Sequence, residues 1–339
     1  MNWKLPGLLV SLLLPLSVAA SAADTAPDIA SLRAKYLRTD PIPYPDDDPY
    51  SAAKVTLGRT MFFDPIFSAS GTISCATCHK PDLGWEDGLP RAVGDARHPL
   101  KLKTPTLIDD AWLARLGWDG KYRDLEQVTF APIVADGNMN MSEAGVEGRL
   151  ASIPQYVRAF SAAFGDPAIT RKRIEMAIAT YERSIVSTEA PFDRWVKGDD
   201  NAIDDAAKRG FAIFNGKGRC AECHSGWQFT DGSFHDIGVA KDDDIGRGRL
   251  FPTSVKLRHA FKTPTLRDVT LRAPYMHDGS VPTLEAVIDL YNKGGIDRPS
   301  RSELIKPLDL SVQEKADLLA FLQTLTGKPQ HEDAPTPPR

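Results

Sequence analysis

The chain has 339 residues, of which 42% are hydrophobic and 25% charged, and its 41 Lys and Arg against 45 Asp and Glu leave a net charge of −4. That balance suits a globular protein of two-domain size and excludes a wholly disordered chain. It offers no basic stretch or excess positive charge of the kind that grips nucleic acid.

Residues 1–22 read as a secretory signal peptide. Lys4 supplies the positive start, Leu5 to Val18 is an apolar stretch interrupted by Pro6 and Pro15, and Ala20-Ser21-Ala22 is an A-x-A cleavage site. The stretch is short for a bilayer span, so no membrane span is expected after cleavage. Residues 23–50 read as an extended lead-in, with Pro41, Pro43, Pro45 and the run Asp46-Asp47-Asp48.

From 51 to 198 the first domain is expected. It opens on the helical segment Leu57-Gly58-Arg59-Thr60-Met61-Phe62-Phe63 and reaches Cys75-Ala76-Thr77-Cys78-His79. Lys-Thr-Pro-Thr-Leu follows at 103–107. A helix carrying Ile174, Ile178, Tyr181 and Ile185 at three- and four-residue steps closes the domain, with core packing as its reading. From 199 to 328 the same order returns: Gly210-Phe211-Ala212-Ile213-Phe214, Cys220-Ala221-Glu222-Cys223-His224, and Lys-Thr-Pro-Thr-Leu at 262–266. One duplicated unit explains both series.

Cys-x-x-Cys-His is the attachment signature of c-type haem. Two thiols clip the porphyrin, and the adjacent imidazole becomes an iron ligand. The two copies use every cysteine of the chain. A four-cysteine zinc site or two disulfides are the other readings, and neither accounts for a His after each pair. The fold is expected to be mostly α, as two cytochrome c-like domains with long loops packed on their cofactors. Ser311-Val312-Gln313-Glu314 is a capping box for a last helix with Leu318, Leu319, Phe321, Leu322 and Leu325 on its apolar face, and Gly327 is a plausible stop. Residues 329–339 read as a disordered tail.

The motifs together resemble the bacterial dihaem cytochrome c peroxidases and their MauG-type relatives over about Leu57 to Gly327. They include Phe62-Phe63-Asp64-Pro65, Pro81-Asp82-Leu83-Gly84, Trp118-Asp119-Gly120, Phe229-Thr230-Asp231, Phe234-His235-Asp236-Ile237-Gly238-Val239 and Ala273-Pro274-Tyr275-Met276-His277-Asp278-Gly279-Ser280. The resemblance implies a peroxide-reactive haem in the first domain, on Cys75, Cys78 and His79, and an electron-transfer haem in the second, on Cys220, Cys223 and His224. Trp118 falls where the family places a tryptophan between the haems. The sixth ligand of the second iron falls on Tyr291, as in MauG, where the peroxidases have Met. Leu284, Val287, Ile288 and Tyr291 also share one helical face. Met276 is the rival ligand, and a core aromatic is the plain reading of Tyr291.

The same resemblance puts Pro132 in the distal pocket of the first haem, with Val128 and Asn138 at the family's Gln and Glu positions. Asn138 cannot shuttle a proton as a carboxylate can. Gln127, Glu143 and Glu147 are the neighbours that could stand in. Interdomain calcium, common in the family, is doubtful because Lys103 takes the place of the usual Asn. His98, His235, His259, His277 and His331 read as structural or exposed.

The function this implies is a periplasmic, MauG-like dihaem oxidoreductase of a Gram-negative bacterium. Hydrogen peroxide would form a high-valent oxidant that attacks Trp or Tyr side chains of a partner protein. The related MbnH branch converts a partner tryptophan to kynurenine. The alternatives are a cytochrome c peroxidase fed by a small cytochrome c or cupredoxin, and a non-catalytic electron-transfer or redox-sensing cytochrome.

Overall fold

The computed structural model describes residues 1–3, 29–241 and 243–339. The expected signal peptide, apart from its first three residues, lies outside them. The described residues hold eleven α-helices: α1 Ile29–Ala34, α2 Ala52–Phe63, α3 Cys75–Cys78, α4 Leu125–Val134, α5 Glu143–Ala151, α6 Pro154–Phe164, α7 Arg171–Arg183, α8 Pro191–Val196, α9 Asp205–Asn215, α10 Leu284–Lys293 and α11 Val312–Gln323. The only paired strands among them are β1 Phe234–His235 and β2 Phe261–Lys262, antiparallel and two residues long. The fold is mostly α, as expected.

Two hydrophobic cores divide the chain. The first gathers Phe62, Phe67, Trp85, Phe130, Tyr156, Phe160, Ile178 and Tyr181. The second gathers Phe192, Trp195, Phe211, Phe214, Phe229, Leu318 and Phe321. Each is built on one helix crossing, α2 on α7 and α9 on α11, at a glycine. A Cβ on Gly58 would lie 1.9 Å from the Ala177 carbonyl oxygen, and one on Gly210 would lie 2.0 Å from that of Asp317. No side chain fits either gap, so both crossings bring backbone against backbone.

The boundaries differ from the sequence reading in four places. Phe192 and Trp195 join the second core, so the break between cores falls within 186–190, ahead of the expected 198. The lead-in is not simply extended: α1 places Leu32 in the second core, and the turn that follows it, closed by the Tyr36 N–H on the Arg33 carbonyl at 3.0 Å, places Tyr36 there too. Ser311 and Glu314 form the expected capping box, but α11 ends at Gln323 with Thr324 as its cap. Gly327 is instead held by the Asp268 carboxylate through its N–H, at 2.8 Å. The tail has no helix or strand, yet it runs back over the first domain. Gln330 Nε2 donates to the Val186 carbonyl at 2.7 Å, and Glu332 meets Arg59 at 3.1 Å.

Filling either crossing should destabilise the haem-loaded protein. Gly58→Ala and Gly210→Ala are each expected to cost at least about 1–3 kcal/mol, the usual range for overpacking a tight contact. Thermal unfolding of each variant would measure it.

Candidate haem sites and the seam between them

Both Cys-x-x-Cys-His segments form single turns just after the first helix of each crossing. Cys75–Cys78 is α3, and Cys220 to Glu222 is a 3-10 turn. His79 and His224 are each oriented by a backbone carbonyl. The Trp85 carbonyl lies 3.1 Å from His79 Nδ1, and the Phe229 carbonyl lies 2.8 Å from His224 Nδ1. Trp85 (φ 62°) and Phe229 (φ 55°) adopt the left-handed conformation, uncommon for bulky residues, which turns these carbonyls inward. With Nδ1 tied back, Nε2 is the atom left to bind iron. Burial lowers the pKa of both imidazoles and favours the neutral ring a metal needs.

All four thiols are free, so neither pair is a disulfide. Cys223, Asp231 and His235 bring ligand atoms within 4.8 Å of one another, but no other cysteine joins them. Around Cys220, Cys223 and His224 lies one large, mainly apolar cavity, bordered also by Trp118, Tyr275, Met276, Leu284, Ile288 and Tyr291. Two thiols, a neutral imidazole with one nitrogen held, and an apolar cavity fit a covalent haem. The first unit repeats the donor set.

Tyr291 stands on α10 behind the Thr283 cap, on the same face as the buried Leu284 and Ile288. Burial, with the field of Cys220 and Cys223, raises its phenol. Met276 lines the same cavity from a left-handed turn (φ 73°). Both candidate ligands therefore border the space that His224 enters.

The units meet along a seam of reciprocal hydrogen bonds. The Lys103 N–H donates to the His277 carbonyl at 2.9 Å, and the Lys262 N–H donates to the Trp118 carbonyl at 2.8 Å. Trp118 Nε1 also donates to the Lys103 carbonyl at 2.8 Å, which fixes the indole at the domain junction. Lys103 Nζ is buried in an ion pair with Glu86, and Arg272 of the second unit lies 3.3 Å from the same carboxylate.

The first unit's expected distal residues are adjacent. The N–H of Met139 donates to the Pro132 carbonyl at 3.2 Å, which folds the 135–140 turn back on α4 beside Asn138. The three neighbours that could have replaced an acid there do not. Gln127 is exposed and accepts from the Arg123 N–H, while Glu143 and Glu147 are drawn to Arg171 at the surface.

Two acids of the first unit, Glu182 buried and Asp110 half-buried, lie outside every motif of the sequence. Glu182 accepts from the Thr129 hydroxyl at 3.1 Å, and burial pushes its carboxyl up to about 8. Burial likewise lifts Asp110 to about 6, against the pull of Lys262. Glu182 follows Ile178 by four residues, so a carboxylate on the apolar stripe of α7 was a legible signal.

The raised Glu182 carboxyl makes stability fall with pH. Folded protein keeps this proton up to about pH 8, while the unfolded chain releases it in the ordinary range near 4.5. Its contribution is therefore full below that range and is lost as pH rises through about 8. Glu182→Gln should flatten this slope. Unfolding temperature against pH for the haem-loaded protein and the variant would test it.

A model of the di-haem cytochrome c peroxidase family matches residues 52–201. The chain is 49% identical over 315 residues to the methylamine utilization protein MauG of Methylorubrum extorquens, covering 92% of this chain and 89% of that one. It is 46% identical over 314 residues to MauG of Methylophilus methylotrophus, covering 90% and 92%. Among solved structures, a MauG-like protein associated with microbial copper homeostasis aligns with a TM-score of 0.80 at 31% identity, covering 87% of this chain and 94% of that one. The chain therefore belongs to the di-haem cytochrome c peroxidase family, on its MauG side, and is a peroxide-dependent dihaem oxidoreductase.

Proposed function

We propose that the protein acts in the periplasm as a MauG-like enzyme that uses hydrogen peroxide to oxidise Trp or Tyr side chains of a partner protein. The observation that carries this reading is Tyr291 on the cavity wall it shares with His224. A phenolate is a hard anion and favours the higher oxidation states of iron, whereas a thioether raises the reduction potential and favours the ferrous state. A tyrosine-ligated second haem suits storage of oxidising equivalents better than refilling by a small cytochrome. Bound haem supplies peroxide binding and the means to hold those equivalents.

The chain's own residues would do the rest. His79 and His224, fixed by the Trp85 and Phe229 carbonyls, hold the irons. Cys75, Cys78, Cys220 and Cys223 fasten the porphyrins. Trp118, pinned to the Lys103 carbonyl, is the relay across the seam. Pro132 shapes the distal side, and Asn138 positions water or peroxide there by hydrogen bonding. The buried Lys103 ammonium, paired with Glu86, supports a seam that uses a fixed side-chain cation in place of calcium. The periplasmic assignment rests on the sequence of residues 1–22. Among the described residues, no helix is long and apolar enough to cross a membrane.

Electron paramagnetic resonance tests the reading. The ferric protein should give one high-spin and one low-spin signal, and stoichiometric peroxide should abolish both together. Two low-spin signals indifferent to peroxide would overturn it. Tyr291→Phe should eliminate the low-spin signal and shift the absorption spectrum, and an unchanged spectrum would remove Tyr291 as a ligand.

Asn138→Glu restores a proton-shuttling carboxylate. It should raise the rate of reaction with peroxide at least about a hundredfold, the low end of what a placed acid–base group contributes. Stopped-flow absorbance of the haems would measure it.

A further inference from the structure

Three aromatic positions recur in the two units with different chemistry. In the second, Phe214, Phe229 and Phe321 pack together, with centroids 5.0–6.1 Å apart. In the first, the same places hold Phe62, Trp85 and Tyr181, with centroids 5.3–6.4 Å apart. The equivalence is structural. Trp85 and Phe229 both turn a carbonyl to the iron-binding histidine, and Tyr181 and Phe321 both face the crossing glycine of their unit. So the first core carries two oxidisable rings where the second carries only phenylalanines.

Both oxidisable rings have polar partners supplied by the C-terminal tail. Trp85 Nε1 donates to Gln330 Oε1 at 3.0 Å, and the Tyr181 hydroxyl donates to Glu332 Oε2 at 2.7 Å. Tyr181 is 2% exposed, whereas the Glu332 side chain is 28% exposed and paired with Arg59. Losing an electron turns a phenol into a strong acid, so a tyrosine is readily oxidised only where a base can take its proton at once. Glu332 is the carboxylate placed to receive it, and its partial exposure connects that site to water.

The geometry points to a second outlet for oxidising equivalents, from the His79 side of the first haem through Trp85 to Tyr181, with Glu332 as proton acceptor. It is separate from the Trp118 seam, and it rests on the peroxide reading above. One electron passes from the Tyr181 ring by way of Trp85 to the oxidising equivalent that peroxide has left at the first haem, and the phenolic proton moves to Glu332 Oε2. A one-electron reductant in solution then restores the ring, and the proton returns. Such an outlet drains the first haem when no partner protein is docked, and it gives the tail a chemical role.

The test is freeze-quench electron paramagnetic resonance of the haem-loaded full chain after peroxide, without any partner protein. A neutral tyrosyl signal should appear, narrow when ring-deuterated tyrosine is incorporated, and vanish in Tyr181→Phe. Glu332→Gln keeps a hydrogen-bond acceptor but no base. It should lower the radical yield several-fold and slow the return of the resting absorption spectrum to a similar degree. If the haem spectrum responds to peroxide but no tyrosyl signal forms, or the signal persists undiminished in Tyr181→Phe, the outlet is overturned and the peroxide reading stands. If the haem spectrum does not respond, both fall together. Should Tyr181→Phe fail to take up haem, an unchanged radical yield in Glu332→Gln would be enough to refute the proposal.

Discussion

Two backbone hydrogen bonds hold the molecule's chemistry in one place: Lys103 N–H to the His277 carbonyl, and Lys262 N–H to the Trp118 carbonyl. Each uses the lysine that opens a Lys-Thr-Pro-Thr-Leu segment, and each reaches the aromatic residue before Asp-Gly in the opposite unit. The exchange is therefore reciprocal, as in a two-fold dimer, although both halves belong to one chain. It brings Trp118 beside His277 at the junction and sets the cavity of the second unit against the edge of the first.

Duplication supplies the scaffold, and the departures from it lie in the side chains. Glycine crossings, left-handed residues ahead of each inward carbonyl, and the threonine hydroxyls of the repeated segment are common to both halves. Thr106 Oγ1 donates to the Gly84 carbonyl, and Thr265 Oγ1 donates to the Gln228 carbonyl. Against that background the differences stand out. Trp118 faces His277 across the seam, and Trp85 and Tyr181 occupy places that the other half fills with phenylalanine. A backbone frame repeated this closely leaves side-chain chemistry as the means by which two similar sites become unlike.

Electrostatics along the seam follow from burial. Glu86, Lys103 and Arg272 are each no more than 5% exposed, so the carboxylate between two cations answers a charge problem that solvent cannot. Burial raises the Glu86 carboxyl, and the neighbouring guanidinium and ammonium only oppose that rise. At Glu182 burial and the field of Asp110 and Glu126 outweigh the Thr129 hydroxyl and the Arg183 guanidinium, and its carboxyl rises to about 8. Burial therefore dominates at both acids, and the nearby cations only oppose the rise.

Residue identity and spacing were enough to give the donor sets Cys75, Cys78, His79 and Cys220, Cys223, His224 that fit a haem, the duplication, the helical class and the face of α10 shared by Leu284, Ile288 and Tyr291. These features are local: a pentapeptide, a helical period and a repeated segment each state their own geometry. What only the tertiary structure decided was which distant groups share a site. The sequence offered Gln127, Glu143 and Glu147 near Asn138, but α5 and the start of α4 turn them outward to Arg171 and Arg123. It read residues 329–339 as unstructured, yet the tail places Gln330 and Glu332 on Trp85 and Tyr181, residues about 150 to 245 positions away in the chain. Neither outcome could be read from period or motif, because a hydrogen bond between remote segments depends on where the packed cores carry them.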